Sequence, residues 1–218
     1  MWSARFSPAK RRALAATWLL LALGACGEAP QATLAHLPAD GLVLAFGNSL
    51  THGTGATPGQ SYPAVLQELI GRRVIESGRP GELSGGGLAR LAAVLDQVRP
   101  DLVILCHGGN DILRRRNLGK TAANLRAMIR LAQDKGAQVV LIGVPEPSLF
   151  GLEVADFYRQ VADEFGVPYE GDALAEILGD DALKSDPIHP NAAGYEALAQ
   201  AVADLLRQSG ALTSPGAS

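Results

Sequence analysis

Leu42-Val43-Leu44-Ala45-Phe46, running into Gly47-Asn48-Ser49-Leu50, is the stretch that decides the fold. Five consecutive apolar residues closed by glycine predict a strand buried on both faces, as in a parallel sheet. Working outward, similar runs return at Val74-Ile75, at Leu102 to Leu105, at Val139 to Ile142 and at Val167-Pro168-Tyr169. Helical patterns lie between them. Ser61 caps a helix over Tyr62 to Ile70, with Val65, Leu66, Leu69 and Ile70 on one side. Gly85-Gly86-Gly87 reads as a flexible lead-in to a helix on which Leu88, Leu91, Ala92, Leu95 and Val98 recur, ended by Pro100. Thr121 to Lys135, closed by Gly136, then Val154 to Phe165, and finally Asn191 to Gln208 complete the helices. Strand and helix alternate throughout, which predicts an α/β domain with helices on both faces of a parallel sheet. In such sheets the site lies beyond the carboxyl ends of the strands. Ser49 follows the first strand and Gly108-Gly109-Asn110-Asp111 follows the third, so both fall at one edge.

The chain has 218 residues, 47% of them hydrophobic and 19% charged, with a net charge of -3. That suits one domain with a proper core, and mild acidity argues against a nucleic-acid partner. The N-terminus reads as an address. Arg5, Lys10, Arg11 and Arg12 precede the uncharged run Ala13 to Leu23, which is too short to span a bilayer and suits a signal peptide. Leu23-Gly24-Ala25-Cys26 then resembles a bacterial lipobox, which implies removal of residues 1–25 and lipidation of Cys26. Gly27 rather than Asp follows the cysteine, which favours the outer membrane in a host that has one. Residues 26–40 read as a lipidated tether anchoring the domain to a membrane, and 209–218 as a flexible tail. Of two cysteines this leaves only Cys106, in an apolar run, so no disulfide is expected.

The chemistry rests on three separated segments. A serine hydroxyl needs a base to take its proton and donors to hold the oxyanion that follows. Asp186-Pro187-Ile188-His189-Pro190 offers a carboxylate three residues before an imidazole, between prolines that favour a turn before the last helix. Such a turn sets Asp186 against one ring nitrogen of His189 and leaves the other for Ser49. Asn110 supplies an amide donor, with Gly108 and Gly109 allowing an unusual backbone around it. Ser49 adds its own N–H, and a glycine N–H is the third donor. His52 reads as a solvated loop residue near the pocket mouth and His107 as structural. No cluster has metal-ligand spacing, and Gly85-Gly86-Gly87 lacks the lysine and serine of a phosphate loop, so no cofactor or metal is implied.

With these residues the chain resembles the SGNH hydrolases, also called the GDSL esterases and lipases, from Leu42 to about Leu206. It looks closest to the branch with arylesterase, thioesterase and lysophospholipase activity. The resemblance implies a flavodoxin-like three-layer α/β/α sandwich with a five-stranded parallel sheet, and a hydrolase domain over residues 41–208. It implies a small-molecule ester as substrate, Ser49 as nucleophile, Asp186 and His189 as its partners, and Asn110 in the oxyanion hole. The intact Gly87-Leu88-Ala89-Arg90-Leu91 places the oxyanion glycine at Gly81, with Gly78 as rival. Asn48 stands where the family name expects aspartate.

Three functions compete. The first is hydrolysis of aryl or short to medium acyl esters, thioesters or lysophospholipids through an acyl-enzyme. The second keeps the chemistry but takes O-acetyl groups from envelope polysaccharide. The third is a non-catalytic lipoprotein that binds a ligand in a decayed pocket. The segment Ile112 to Gly119 and the stretch Pro145 to Leu152 are candidate pocket walls; Arg114, Arg115 and Arg116 in the first suit anionic substrates or lipid headgroups, or read as a solvated charge run. Acyl-chain preference and oligomeric state are not encoded in these motifs.

Overall fold

The computed structural model describes Met1, residues 32–149 and residues 151–213. The expected signal peptide and Cys26 lie outside the described residues. In chain order the elements are β1 (Leu42–Gly47), α1 (Ser49–His52), α2 (Tyr62–Ile70), β2 (Arg73–Gly78), α3 (Ser84–Val98), β3 (Leu102–Cys106), α4 (Gly109–Leu113) and α5 (Leu118–Asp134). There follow β4 (Gln138–Ile142), β5 (Pro145–Ser148), β6 (Gly151–Val154), α6 (Phe157–Phe165), β7 (Tyr169–Glu170), α7 (Ala173–Gly179), β8 (Lys184–Asp186), β9 (His189–Pro190) and α8 (Ala192–Gln208).

Five strands form one sheet in the order β2-β1-β3-β4-β7, all parallel. This is the flavodoxin-like order, with its switch point between β1 and β3. Helices α2 and α8 pack on one face, and α3, α5 and α6 on the other. The apolar runs Val43–Phe46 and Leu102–Cys106 are buried, as two covered faces require. Register matters most for the site. Gly47 pairs with Gly78 on one side and Cys106 on the other, so three strands end level. The segments after them, beginning at Asn48, Arg79 and His107, leave from the same edge.

Several sequence expectations need correction. Gly85-Gly86-Gly87 is no lead-in, because α3 already begins at Ser84. Asp111 accepts from the Ser84 N–H and from its hydroxyl, each at 2.8 Å, and fixes that helix start with a carboxylate. The helix expected from Val154 begins at Phe157, since Val154 pairs with Pro145 in the β5–β6 hairpin. Helix α5 starts at Leu118, with the Asn117 side chain accepting from the Lys120 N–H. Hairpin β5–β6 and helix α7 were not anticipated.

The domain is also wider than 41–208. Leu37, Ala211 and Leu212 are buried. The Leu34 N–H donates to Ser209 O at 2.7 Å and the Leu37 N–H to Ala211 O at 2.8 Å. Residues 32–40 and 209–212 are therefore part of the packed body rather than tether and tail.

Candidate active site

Ser49 is the first residue of α1, entered sharply from β1. Asn48 is buried, and its side-chain oxygen accepts from the Leu50 N–H at 3.1 Å, the geometry of an N-cap. The Ser49 N–H sits at a helix start, where no intrahelical acceptor exists. Gly47 is glycine for space: a Cβ there would come within 2.2 Å of Cys106 O and 2.3 Å of Thr51 Oγ1.

Asp186 and His189 face each other across the two-residue loop Pro187-Ile188 of the β8–β9 hairpin. Asp186 Oδ1 accepts from the N–H groups of Ile188 (2.8 Å) and His189 (2.9 Å), while Oδ2 meets His189 Nδ1 at 2.8 Å. Partial desolvation opposes the charge on Asp186. The bonds from the His189 ring and the two backbone N–H groups outweigh it, and its carboxyl is held below the usual range. His189 Nε2 lies 3.0 Å from Ser49 Oγ. With Nδ1–H directed at the carboxylate, Nε2 carries the lone pair that can take the serine proton. Two residues read 140 positions apart thus meet at hydrogen-bond distance.

Asn110 is in the first turn of α4 and lines the same groove as Ser49 and His189. Its Nδ2 donates to Glu82 O at 3.2 Å. One amide hydrogen therefore fixes the side-chain plane, and among the described residues the second has no acceptor. Gly108, with φ of 104°, makes the turn into α4 and passes under Tyr158, whose hydroxyl donates to His107 O at 2.8 Å. A Cβ at Gly108 would sit 2.4 Å from that hydroxyl.

The two rival glycines differ in what their N–H groups do. The Gly78 N–H donates to Glu76 Oε1, and a Cβ there would strike His52 N at 2.3 Å, so its role is close approach to α1. Gly81 has φ of 77° and follows Pro80 in a turn closed by the Glu82 N–H donating to Arg79 O at 3.1 Å. Proline then glycine at the two central positions is the type II pattern. Among the described residues the Gly81 N–H has no backbone acceptor, and Gly81 O accepts from Arg114 Nη2 at 3.1 Å.

The groove has a volume of about 70 Å³. Val144, Pro145, Pro147, Leu152, Leu113 and Ile188 give it apolar walls, so the stretch Pro145 to Leu152 does contribute to it. Of the three arginines, all exposed, Arg114 reaches back to Gly81, an interaction no spacing rule signals. His52 is exposed, 3.8 Å from Glu76, and does not line the groove. Cys106 is buried and its thiol is pushed up to about 12 by desolvation, against a hydrogen bond with Thr51, which removes it as a nucleophile. Among the described residues no three His, Cys, Asp or Glu side chains gather as a metal-ligand set.

Sequence reasoning missed the acid beside the groove. Desolvation opposes charge on Glu82, but hydrogen bonds from His107 and Arg90 and the positive charge of Arg90 lower its carboxyl to about 2. Ser84, Asp111 and Asn124 were missed too. They form a chain in which Asn124 Nδ2 donates to Ser84 Oγ at 2.8 Å and Ser84 to Asp111.

Comparison with known proteins agrees with this geometry. Residues 45–197 match the model of the GDSL-like Lipase/Acylhydrolase family. Esterase TesA of Pseudomonas aeruginosa is 30% identical over 172 residues, covering 73% of this chain and 85% of that protein. Thioesterase 1/protease 1/lysophospholipase L1 of Escherichia coli K12 is 30% identical over 156 residues, 68% of this chain and 75% of that one. Among solved structures, that of TesA superposes with a TM-score of 0.70 at 29% identity, over 77% of this chain and 99% of that chain. The psychrotrophic esterase EstA of Pseudoalteromonas superposes with a TM-score of 0.69 at 25% identity, over 78% and 98%. By fold, by the meeting of Ser49 with His189, and by these matches, the chain belongs to the GDSL-like lipase/acylhydrolase family.

Proposed function

We propose that this protein is a serine hydrolase of carboxylic esters acting through an acyl-enzyme on Ser49. The observation that carries the reading is the continuous relay from Asp186 through His189 to Ser49 Oγ at 2.8 and 3.0 Å. Ser49 attacks the acyl carbon as His189 Nε2 takes its proton, and Asp186 holds the ring and balances the imidazolium. The oxyanion is received by the second Asn110 amide hydrogen, the Ser49 N–H and the Gly81 N–H. Gly81 is preferred to Gly78 because the Gly78 N–H is already bonded. His189 returns the proton to the leaving alcohol, then activates the water that releases the acid.

A groove of about 70 Å³ lined by Val144, Pro147 and Leu152 suits short acyl groups. Relatives named arylesterase, esterase and thioesterase support this substrate class. The resemblance of Leu23-Gly24-Ala25-Cys26 to a lipobox supports lipid anchoring at Cys26 and a place in the cell envelope. Among the described residues no helix is long and apolar enough to cross a membrane.

The test is hydrolysis of p-nitrophenyl acetate, butyrate, octanoate and palmitate by the chain from Gly27 onward. Ser49→Ala is expected to lower kcat by a factor on the order of 10⁶. The parent should favour acetate and butyrate. Equal rates in parent and variant would end the reading, and a preference for palmitate would end its short-acyl part.

A further inference from the structure

Under the groove lies a buried charged cluster that the proposed reaction does not use. Arg90 Nε meets both carboxylate oxygens of Glu82 at 3.0 and 2.9 Å, and Nη2 comes within 2.8 Å of Oε2. Arg90 also donates from Nη2 to Gly47 O and Ser77 O, each at 3.0 Å, and from Nη1 to Ser77 Oγ at 2.8 Å. Its guanidinium lies 3.9 Å over the Phe46 ring. His107 is fully buried, and its Nδ1 accepts from the Gly108 N–H at 3.2 Å. That bond sets the ring proton on Nε2, which faces Glu82 Oε2 at 3.3 Å.

A buried ion pair is weak evidence for stability, because apolar groups of the same volume often serve a core as well. What this cluster does is join the ends of three strands. Arg90 holds the last residue of β1, two before Ser49. Glu82 adjoins Gly81, and its carbonyl holds the Asn110 amide at 3.2 Å. His107 opens the segment that carries Gly108 to Asn110. Each proposed oxyanion donor is thus within three residues of a group in the cluster.

We propose that Glu82, clamped by Arg90 and His107, is the positioning residue of the oxyanion hole. Its carboxylate locks the Arg79–Glu82 turn, so that its own carbonyl fixes the Asn110 amide and the Gly81 N–H keeps its direction. Donors stabilise a forming oxyanion best when they need not reorient as charge develops. This rests on the hydrolase reading above and adds to it a cause for the geometry.

Glu82→Gln keeps the shape and one acceptor but releases the charge clamp, and Glu82→Ala removes both. With p-nitrophenyl butyrate, each variant is expected to lose about 10- to 100-fold in kcat, with KM within about twofold. Phosphonylation by a fluorophosphonate should slow in parallel, because the phosphonyl oxygen uses the same donors. The acid limb of the kcat/KM profile should stay where the parent has it, since neither Asp186 nor His189 touches the cluster. In an Asn110→Ala background the effect of Glu82→Gln should shrink, as two residues acting on one unit are not additive. A folded Glu82→Gln with kcat and labelling rate within twofold of the parent overturns the proposal. So does full additivity with Asn110→Ala. If Glu82→Ala does not fold, Glu82→Gln alone decides. A parent that neither hydrolyses esters nor takes the label overturns the hydrolase reading itself, and this one with it.

Discussion

Asn48 stands where the family name expects aspartate, and its buried side chain shows what the position requires. One oxygen accepting from the Leu50 N–H caps α1 and holds the turn that presents Ser49. Asparagine and aspartate both supply that oxygen, and alanine does not. Asn48→Ala is therefore expected to lose about 1 kcal/mol of stability from the lost cap, read by urea unfolding. Asn48→Asp should keep the cap, the fold and ester hydrolysis; an inactive, folded Asn48→Asp would contradict this account. The same contrast explains which residues could be recognised from sequence. Ser49, Asn110, Asp186 and His189 carry functional groups whose chemistry is explicit and lie next to strand ends or prolines. A glycine carries none. The decisive difference between Gly81 and Gly78 is whether the N–H is already bonded, and that depends on a Glu76 side chain whose rotamer no spacing reveals. Glu82 was hidden for a related reason, because its partners lie 8 and 25 residues away and only the fold brings them together.

At the scale of elements, strands were read more securely than helix starts. The buried runs of β1, β3 and β4 have one interpretation, whereas three glycines at a helix start oppose helix propensity by about 1 kcal/mol each. Tertiary contacts override that preference in α3, and the three positions differ in what they need. A Cβ at Gly85 meets nothing closer than Asn124 Nδ2 at 3.8 Å, while one at Gly87 would lie 2.4 Å from His107 Nε2. Gly85→Ala is expected to raise stability by about 0.5–1 kcal/mol, with ester hydrolysis unchanged. Gly87→Ala should instead lower the melting temperature and kcat together, because it pushes His107 off Glu82. Equal effects at the two sites would show that backbone freedom alone sets the glycine run. The β5–β6 hairpin was missed because Val154, Tyr158 and Val161 are spaced as on a helix, although Val154 belongs to a strand. Its Leu152 lines both the groove and a neighbouring depression of about 360 Å³ edged by Arg159 and Tyr169. Leu152→Ala should join the two spaces and raise the octanoate-to-acetate ratio of kcat/KM. An unchanged ratio would place the limit on chain length elsewhere.

At the scale of the whole molecule, the two ends of the sheet do different work, and residues 32–40 and 209–212 belong to the end without the site. The segment before β1 looked like a tether because it holds alanine, proline and glutamine with little periodicity. A strap that packs as a single extended line needs no periodicity, only one or two anchors. Leu37 is such an anchor, fully buried, with its N–H on Ala211 O and its carbonyl accepting from Arg72 Nη2 at 3.5 Å. Gln138, at the amino end of β4, ties down Ala35 through both of its side-chain polar atoms. All these contacts lie at the amino edge of the sheet, while Ser49, Asn110 and His189 lie beyond its carboxyl edge. Starting the chain at Gly41 instead of Ala32 should therefore weaken the fold without touching the chemistry. Losing the Leu37 side chain alone is expected to cost about 2–5 kcal/mol, a large share of the 5–15 kcal/mol typical of a domain. Urea unfolding of the two lengths, with Leu37→Ala in the longer one, measures the loss. Active-site titration then gives kcat per folded molecule, which should be the same in all three. If residues 32–40 were only a spacer to a membrane anchor, the two lengths would unfold at the same urea concentration. If the strap reached the site, kcat per folded molecule would fall with it.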